Sequence, residues 1–183
     1  LHLCDQHLSH MQENNINDTH NLLLEVLLAA QYEGDSLRKH HDQYKINNKD
    51  SQLCTALARS FADIGDIIRG KDLYIRNKQE KDRLEKNLKE IFENIHDKLK
   101  NGKTNKEAAK DHYEGDAPYY YKLREDWWEL NRLEVWKAIT CNAQGNTYFR
   151  GTCSNDTALA KGHCQCIGGT VPTNFDYVPQ YLR

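Results

Sequence analysis

The sequence predicts a mostly α-helical fold: a helical bundle with long amphipathic helices and an irregular, disulfide-linked C-terminal cap. Three observations carry that prediction. All three prolines stand at 118, 172 and 179, so the strongest helix breaker is missing from everything before residue 118. Apolar residues recur at spacings of three and four along extended stretches, the period of a helix face. Four of the six cysteines, Cys141, Cys153, Cys164 and Cys166, crowd the last quarter, where that periodicity dies.

Residues 1–20 are polar and irregular, and Asn14, Asn15 and Asn17 suggest a loop. From Asn21 an apolar run begins (Leu22, Leu23, Leu24, Val26, Leu27, Leu28) that is too broad for one helix face. It reads as a buried helix reaching about His40, with Gly34 as a weak point. The stretch Lys45–Asp50 is a polar connector. Ser51 is an N-cap candidate for a second helix. Leu53, Leu57, Phe61, Ile64 and Ile68 follow as one helical stripe, and Gly70 closes it. A third helix carries Leu84, Leu88, Ile91, Ile95 and Leu99, with a Glu85→Lys89 pair in the favoured orientation and Gly102 as its stop. Residues 103–118 read as a polar connector in which Asp116 caps a fourth helix and Pro118 sits in its first turn. That helix is aromatic: Tyr119, Tyr120, Tyr121, Trp127, Trp128 and Trp136, with Leu123, Leu130, Leu133 and Ile139. Beyond Cys141 come glycines, cysteines and two prolines, an irregular cross-linked cap. There is no internal repeat and no low-complexity tract.

The 183 residues suit one domain or two small ones. A chain of that length buries roughly 70% of its unfolded surface. With 38% hydrophobic and 28% charged residues, the core must be thin, as in elongated helices with long solvated faces. The net charge of −2 excludes a global basic field for nucleic acid but not a local basic patch. No run approaches the ~20 apolar residues of a membrane span, since Glu25 interrupts the longest block. No signal peptide opens the chain and residue 1 is not Met, so localisation is not legible from a targeting segment. Cys4 and Cys54 stand alone in sequence. An even set of cysteines with a loop-like C-terminal segment favours disulfides and an oxidising compartment, with the connectivity open.

Asp63 and Asp66 share a helix face. They read as a polar face bonding a neighbouring segment, Arg59 or Arg69, rather than as an acid/base pair or metal site, because no His completes a metal set. Cys153, His163, Cys164 and Cys166 offer a zinc alternative, disfavoured by the tight Cys-x-Cys spacing and the lack of a second ligand pair. His2, His7 and His10 beside Cys4 read as solvated loop imidazoles. No nucleophile elbow, phosphate loop or dinucleotide glycine motif occurs. No catalytic residue, metal or cofactor is therefore expected. Positive charge concentrates in Arg69, Lys71, Arg76, Lys78, Lys81, Arg83, Lys86 and Lys89. This stripe is the candidate glycan contact, set against the plainer reading of a solvated face, because Asp72, Glu80, Asp82, Glu85 and Glu90 are interleaved with it. Asn17-Asp18-Thr19 and Asn155-Asp156-Thr157 fit the N-glycosylation pattern.

Three strings are more specific than periodicity. They are Leu57-Ala58-Arg59-Ser60-Phe61-Ala62-Asp63-Ile64-Gly65-Asp66-Ile67-Ile68-Arg69-Gly70-Lys71-Asp72, then Trp127-Trp128-Glu129-Leu130-Asn131-Arg132 leading into Val135-Trp136-Lys137-Ala138-Ile139-Thr140-Cys141, then Val171-Pro172-Thr173-Asn174-Phe175-Asp176-Tyr177-Val178-Pro179-Gln180-Tyr181-Leu182-Arg183. In this order they resemble the Duffy-binding-like domains of malaria parasites, and the ending resembles the alpha class that heads the Plasmodium falciparum erythrocyte membrane protein one variant adhesins.

The resemblance implies a helical adhesion domain of three subdomains, displayed at knobs on the infected red cell, subject to antigenic variation and associated with rosetting through heparan sulfate, complement receptor or blood-group sugar. It implies a host cell-surface receptor or glycan and antibodies as partners, no nucleic acid, and a membrane anchor outside this chain. It places residues 1–50 at the end of the first subdomain with a lead-in helix, and 51–183 as the helical second subdomain with its Cys-rich cap. It implies a Cys54–Cys141 disulfide, a partner for Cys4 upstream or in the tail cluster, and one bridge among Cys153, Cys164 and Cys166. The recognisable strings would be scaffold, and specificity would lie on Lys45–Asp50, Lys103–Pro118 and Asn142–Gly169. The rival reading is a structural spacer and antibody target that positions a neighbouring binding domain.

Overall fold

Apolar stripes that cannot be buried alone force the helices together. In the computed structural model of the chain, residues 19–45, 53–73, 78–102, 106–143, 153 and 162–183 are described. Among them are five α-helices: α1 (Thr19–Lys45), α2 (Leu53–Arg69), α3 (Lys78–Asn101), α4 (Lys106–His112) and α5 (Tyr121–Ile139). Two 3-10 turns, Phe175–Tyr177 and Gln180–Leu182, lie in the tail. The chain is mostly helical, with an irregular disulfide-linked C-terminal region, as the sequence predicts. Helix α5 is central: it packs on α1, α2 and α3, while α4 leans on α3 and the Phe175–Tyr177 turn seals α2.

Helix α1 is longer than expected and buried on one face only. Leu22, Val26, Ala29 and Ala30 face the core, whereas Leu24, Leu28 and Tyr32 are exposed. The broad apolar run therefore covers more than the buried face. Gly34 is not a weak point but the site of closest approach: a Cβ there would stand 2.1 Å from the Ile139 carbonyl oxygen. Only a residue without Cβ lets α1 and the end of α5 meet so closely. Beside it, Ser60 donates a buried hydrogen bond to Glu33 Oε1 at 2.8 Å, tying α2 to α1.

The α2 stripe is buried along its whole length, from Leu53 to Ile68. Phe61 lies 5.2 Å from the rings of both Trp128 and Trp136. At the C-terminus of α2, Lys71 N–H donates to the Asp66 carbonyl and Gly70 N–H to the Ile67 carbonyl. With Gly70 at φ 72°, this is a Schellman closure. Ser51 lies outside the described residues. On α3, Leu84, Leu88, Ile91 and Ile95 are buried as expected, together with Phe92, while Leu99 is partly exposed. Glu85 does not pair with Lys89; its carboxylate binds Arg124 instead.

The connector after α3 contains a helix that the sequence did not announce. Helix α4 buries no residue, so it leaves no apolar period to read. Asp116 does serve the start of α5, accepting from Lys122 N–H and Leu123 N–H at 2.9 Å each. Its carboxylate lies where the helix dipole favours negative charge. Pro118 lies before the helix rather than in its first turn; the N-cap is Tyr120, in the left-handed conformation.

The cysteine pairing differs from the expectation. Cys54 bonds Cys164, and Cys153 bonds Cys166. Cys141 is a free, exposed thiol just past the end of α5. Cys54 points from the first turn of α2 into the core, whereas Cys141 faces out, so the Cys54–Cys141 bridge has no geometry to form. The tail instead returns over the core, where Trp136 Nε1–H donates to the Cys164 carbonyl at 3.1 Å. The Cys54–Cys164 bridge spans 110 residues. Closing such a loop contributes roughly 4–5 kcal/mol on the chain-entropy account. Cys4 lies outside the described residues.

Candidate functional site

The three recognisable strings meet at one place. Asp176, on the tail turn, is fully buried and accepts three hydrogen bonds on its carboxylate. Trp128 Nε1–H donates at 2.9 Å, Arg132 Nε at 2.7 Å and Arg132 NH2 at 2.9 Å. Arg132 also reaches the Thr173 carbonyl. From the other side, Arg69 of α2 donates to the Asp176 carbonyl. Gly65 is required here, because a Cβ would stand 2.7 Å from the Trp128 ring. Tyr177 takes the Arg69 and Arg132 guanidiniums against its ring, at 5.3 Å and 5.0 Å. Burial raises the pKa of its hydroxyl above the usual phenol value, with Arg132 opposing.

A second ring of charge surrounds the first. Arg183 clasps Asp63 and Asp66 together, and Asp66 also meets Arg69 at 3.2 Å. The paired carboxylates are thus a structural clasp, the plainer of the two readings. Burial pushes the Asp66 carboxyl up to about 6, against the pull of Arg183 and Arg69. Glu125 is partly desolvated, yet hydrogen bonds from Lys71 and Arg69 hold it below the usual carboxylate range. Arg124, wholly buried, donates to the Ile67 and Ile68 carbonyls at the end of α2 and forks onto Glu85 at 2.7 and 3.0 Å. It caps one helix and ties it to a second through a third.

These groups are occupied by one another, and the expected basic stripe is dispersed. Arg69 is buried and ion-paired, so it is withdrawn as a glycan contact. Lys71 is neutralised by Glu125 at 2.5 Å, and Lys86 by Glu90 at 3.6 Å. Lys81 donates to the Asp72 carbonyl, and Lys89 lies 4.2 Å from the Tyr119 ring centroid. Lys78 and Arg83 are exposed on α3, and Arg76 lies outside the described residues. Lys81 and Lys89 nevertheless converge on a cleft of about 180 Å³ between α3, the end of α2 and Tyr121. Tyr119 and Tyr121 stack there, 5.3 Å apart and half exposed. The sequence lists both tyrosines in the aromatic fourth helix without separating them from its buried rings. Their placement two residues apart, on either side of buried Tyr120, was the available signal.

Of the expected specificity segments, Lys45–Asp50 falls almost wholly outside the described residues, and Lys103–Pro118 and Asn142–Gly169 in part. The described portions are largely exposed, including Lys106–Ala108, Lys110–His112 and Ile167–Gly169. The sequon at Asn155 lies outside them; of the other, only Thr19 is described. Among the described residues no cluster of three His, Cys, Asp or Glu is placed to hold a metal, and no helix is long and apolar enough to cross a membrane.

Comparison with known proteins fits this architecture. A family model described as Duffy binding domain matches residues 1–183. No curated protein matches the chain. Among solved structures, the NTS-DBL1(alpha-1) domain of Plasmodium falciparum membrane protein 1 (PfEMP1) from the varO strain aligns with TM-score 0.79 and 42% identity, over 99% of this chain and 40% of that one. A varO double domain, NTS-DBL1-alpha with CIDR-gamma, aligns with TM-score 0.80 and 42% identity, over 99% of this chain and 25% of that one. A PfEMP1 DBLbeta domain bound to ICAM-1 aligns with TM-score 0.70 and 31% identity, over 99% of this chain and 40% of that one. The chain thus spans 40% or less of the length of these relatives.

Proposed function

The chain belongs to the Duffy binding domain family, and from that premise we propose that it is part of an adhesion domain that binds a host-cell receptor or surface glycan on behalf of a PfEMP1-type variant antigen. The observation that supports this most is the 42% identity over 99% of the chain to a PfEMP1 DBL1-alpha domain. A DBLbeta relative was solved bound to ICAM-1, so receptor binding is an attested use of this fold. Display on the infected red cell, rosetting and antigenic variation are part of this reading, and the alpha-class likeness supports them. Glycan candidates are heparan sulfate and blood-group sugar, and antibodies are the second class of partner.

The division of labour is physical. The recognisable strings are interlocked through Asp176, Arg69 and Arg124 and leave few free donors. Recognition then falls to the exposed connectors and to the cations of α3 that remain unpaired. The relatives' domains are longer than this chain, so the test uses a complete domain on a cell surface. Saturable adhesion to red cells or endothelial cells supports the reading. A correctly folded domain that adheres to neither refutes it and favours the spacer.

A further inference from the structure

We propose that the cleft between α3 and the Tyr119–Tyr121 segment is a subsite for a single anionic sugar ring, an inference that rests on the adhesion reading and gives it a location. Its volume of about 180 Å³ is below the roughly 300–1,000 Å³ of pockets for drug-sized ligands, so it suits one ring rather than an extended chain. The floor is apolar, formed by Ile67, Leu84 and Leu88. One wall is Tyr121, which lies so close to Gly70 that a Cβ there would stand 2.9 Å from its Cε1. The nearly parallel Tyr119 ring, tilted by 4°, braces that wall. Such a floor and wall match the C–H face of a pyranose.

The rim selects for charge. Of its two acids, Glu85 is neutralised, both oxygens accepting from the Arg124 guanidinium, while Asp72, whose Oδ1 accepts from the neutral Gln180 amide, keeps its charge and leaves the two lysines one positive charge in excess. Its two lysines do not have carboxylate partners. Lys81 Nζ donates to a backbone carbonyl, and Lys89 Nζ rests on the Tyr119 ring. Neither is ion-paired among the described residues. Two ammonium groups over an apolar floor favour a ring bearing a carboxylate or sulfate over a neutral one. The lysines of the expected stripe are thus divided by their partners: Lys71 and Lys86 are neutralised, while Lys81 and Lys89 face the cleft.

The test is NMR titration of the 183-residue chain with glucuronic acid, N-acetylneuraminic acid, N-acetylglucosamine 6-sulfate and neutral N-acetylglucosamine. At least one anionic ring should bind saturably and shift Tyr121 and Lys89 resonances, and the carboxylate and sulfate arms then identify the anion. The neutral sugar should bind about tenfold more weakly or worse. Lys81→Gln with Lys89→Gln, both half-buried at the rim, should cut affinity for the anionic ring by about tenfold or more while leaving helix content unchanged. Tyr121→Ala should weaken charged and neutral rings alike. The proposal is overturned if no anionic ring binds, if the neutral ring binds as well, if the double lysine variant binds normally, or if tri-glutamate alone saturates the cleft. In the cell assay, adhesion that survives the double variant overturns the cleft as the contact but not the adhesion reading. Absence of adhesion by the unaltered complete domain overturns the adhesion reading while the titration stands by itself.

Discussion

Removing the Asp176 carboxylate should be among the most damaging single changes in the chain. Asp176→Ala leaves Arg132, largely buried, without its counter-ion, and leaves the Trp128 indole N–H without an acceptor. Deleting one partner of a buried pair costs about 3–5 kcal/mol, because the remaining charge stays desolvated. For a domain of this size that is a fall of roughly 6–20 °C in Tm. Asp176→Asn keeps the volume and one acceptor and should cost less, about 1–3 kcal/mol. Urea unfolding followed by tryptophan fluorescence and far-UV circular dichroism measures both. A double-mutant cycle with Arg132→Met should show a coupling of at least about 1 kcal/mol, since with Met at 132 the loss of the Asp176 carboxylate no longer strands a buried guanidinium. A loss below about 1 kcal/mol for Asp176→Ala, or strict additivity in the cycle, would refute the interlock.

Other consequences are independently checkable. Alkylation of the native chain followed by mass spectrometry should label Cys141 and return Cys54–Cys164 and Cys153–Cys166 as linked peptides; a Cys54–Cys141 peptide contradicts the fold. Gly34→Ala should destabilise by at least about 2 kcal/mol, because its Cβ meets the Ile139 backbone rather than a movable side chain. Asp66 has a raised folded pKa, so its contribution to stability is full below its ordinary value of 3.8 and is lost as pH rises through about 6. Asp66→Asn should remove that downward slope from the stability–pH curve, and a slope that survives the substitution argues against it. His96 is buried, and among the described residues neither ring nitrogen has a hydrogen-bond partner; the carboxylate of Asp97 stands 3.7 Å away. His96→Leu should therefore stabilise the chain by roughly 1 kcal/mol in the same urea assay, where a loss of stability would count against the reading.

What the sequence showed and hid follows from how each signal arises. Helices α2 and α3 bury clean stripes, so Leu53–Ile68 and Leu84–Ile95 were legible from period alone. Helix α4 buries nothing and leaves no period to read. The apolar excess of α1 concealed which face is inward, although Ala29, Ala30 and Gly34 mark a small-residue side suited to close packing. Buried arginines were the larger blind spot. Residue type alone presents Arg69, Arg124 and Arg132 as surface cations, whereas Arg69 and Arg124 are fully buried. Arg124, Trp128 and Arg132 recur at four-residue spacing on one face of α5, which places both arginines beside a buried indole. Disulfide pairing depends on where the tail returns, and no spacing rule encodes that. The family was legible because its strings are the interlocked scaffold. The proposed contact cleft was not, because it is marked out by lysines that lack an acidic partner among the described residues, and partners are visible only in three dimensions.

The most direct test of the account is a binding isotherm of the complete domain on intact host cells, measured beside unfolding midpoints. Variants would carry Lys→Gln changes at 78, 81 and 89 and at the exposed α4 positions 106 and 110. The account predicts saturable binding by the unaltered domain and strong loss in these variants, with unfolding midpoints unchanged. A folded domain that binds no host cell, or one whose binding ignores every such change, contradicts it.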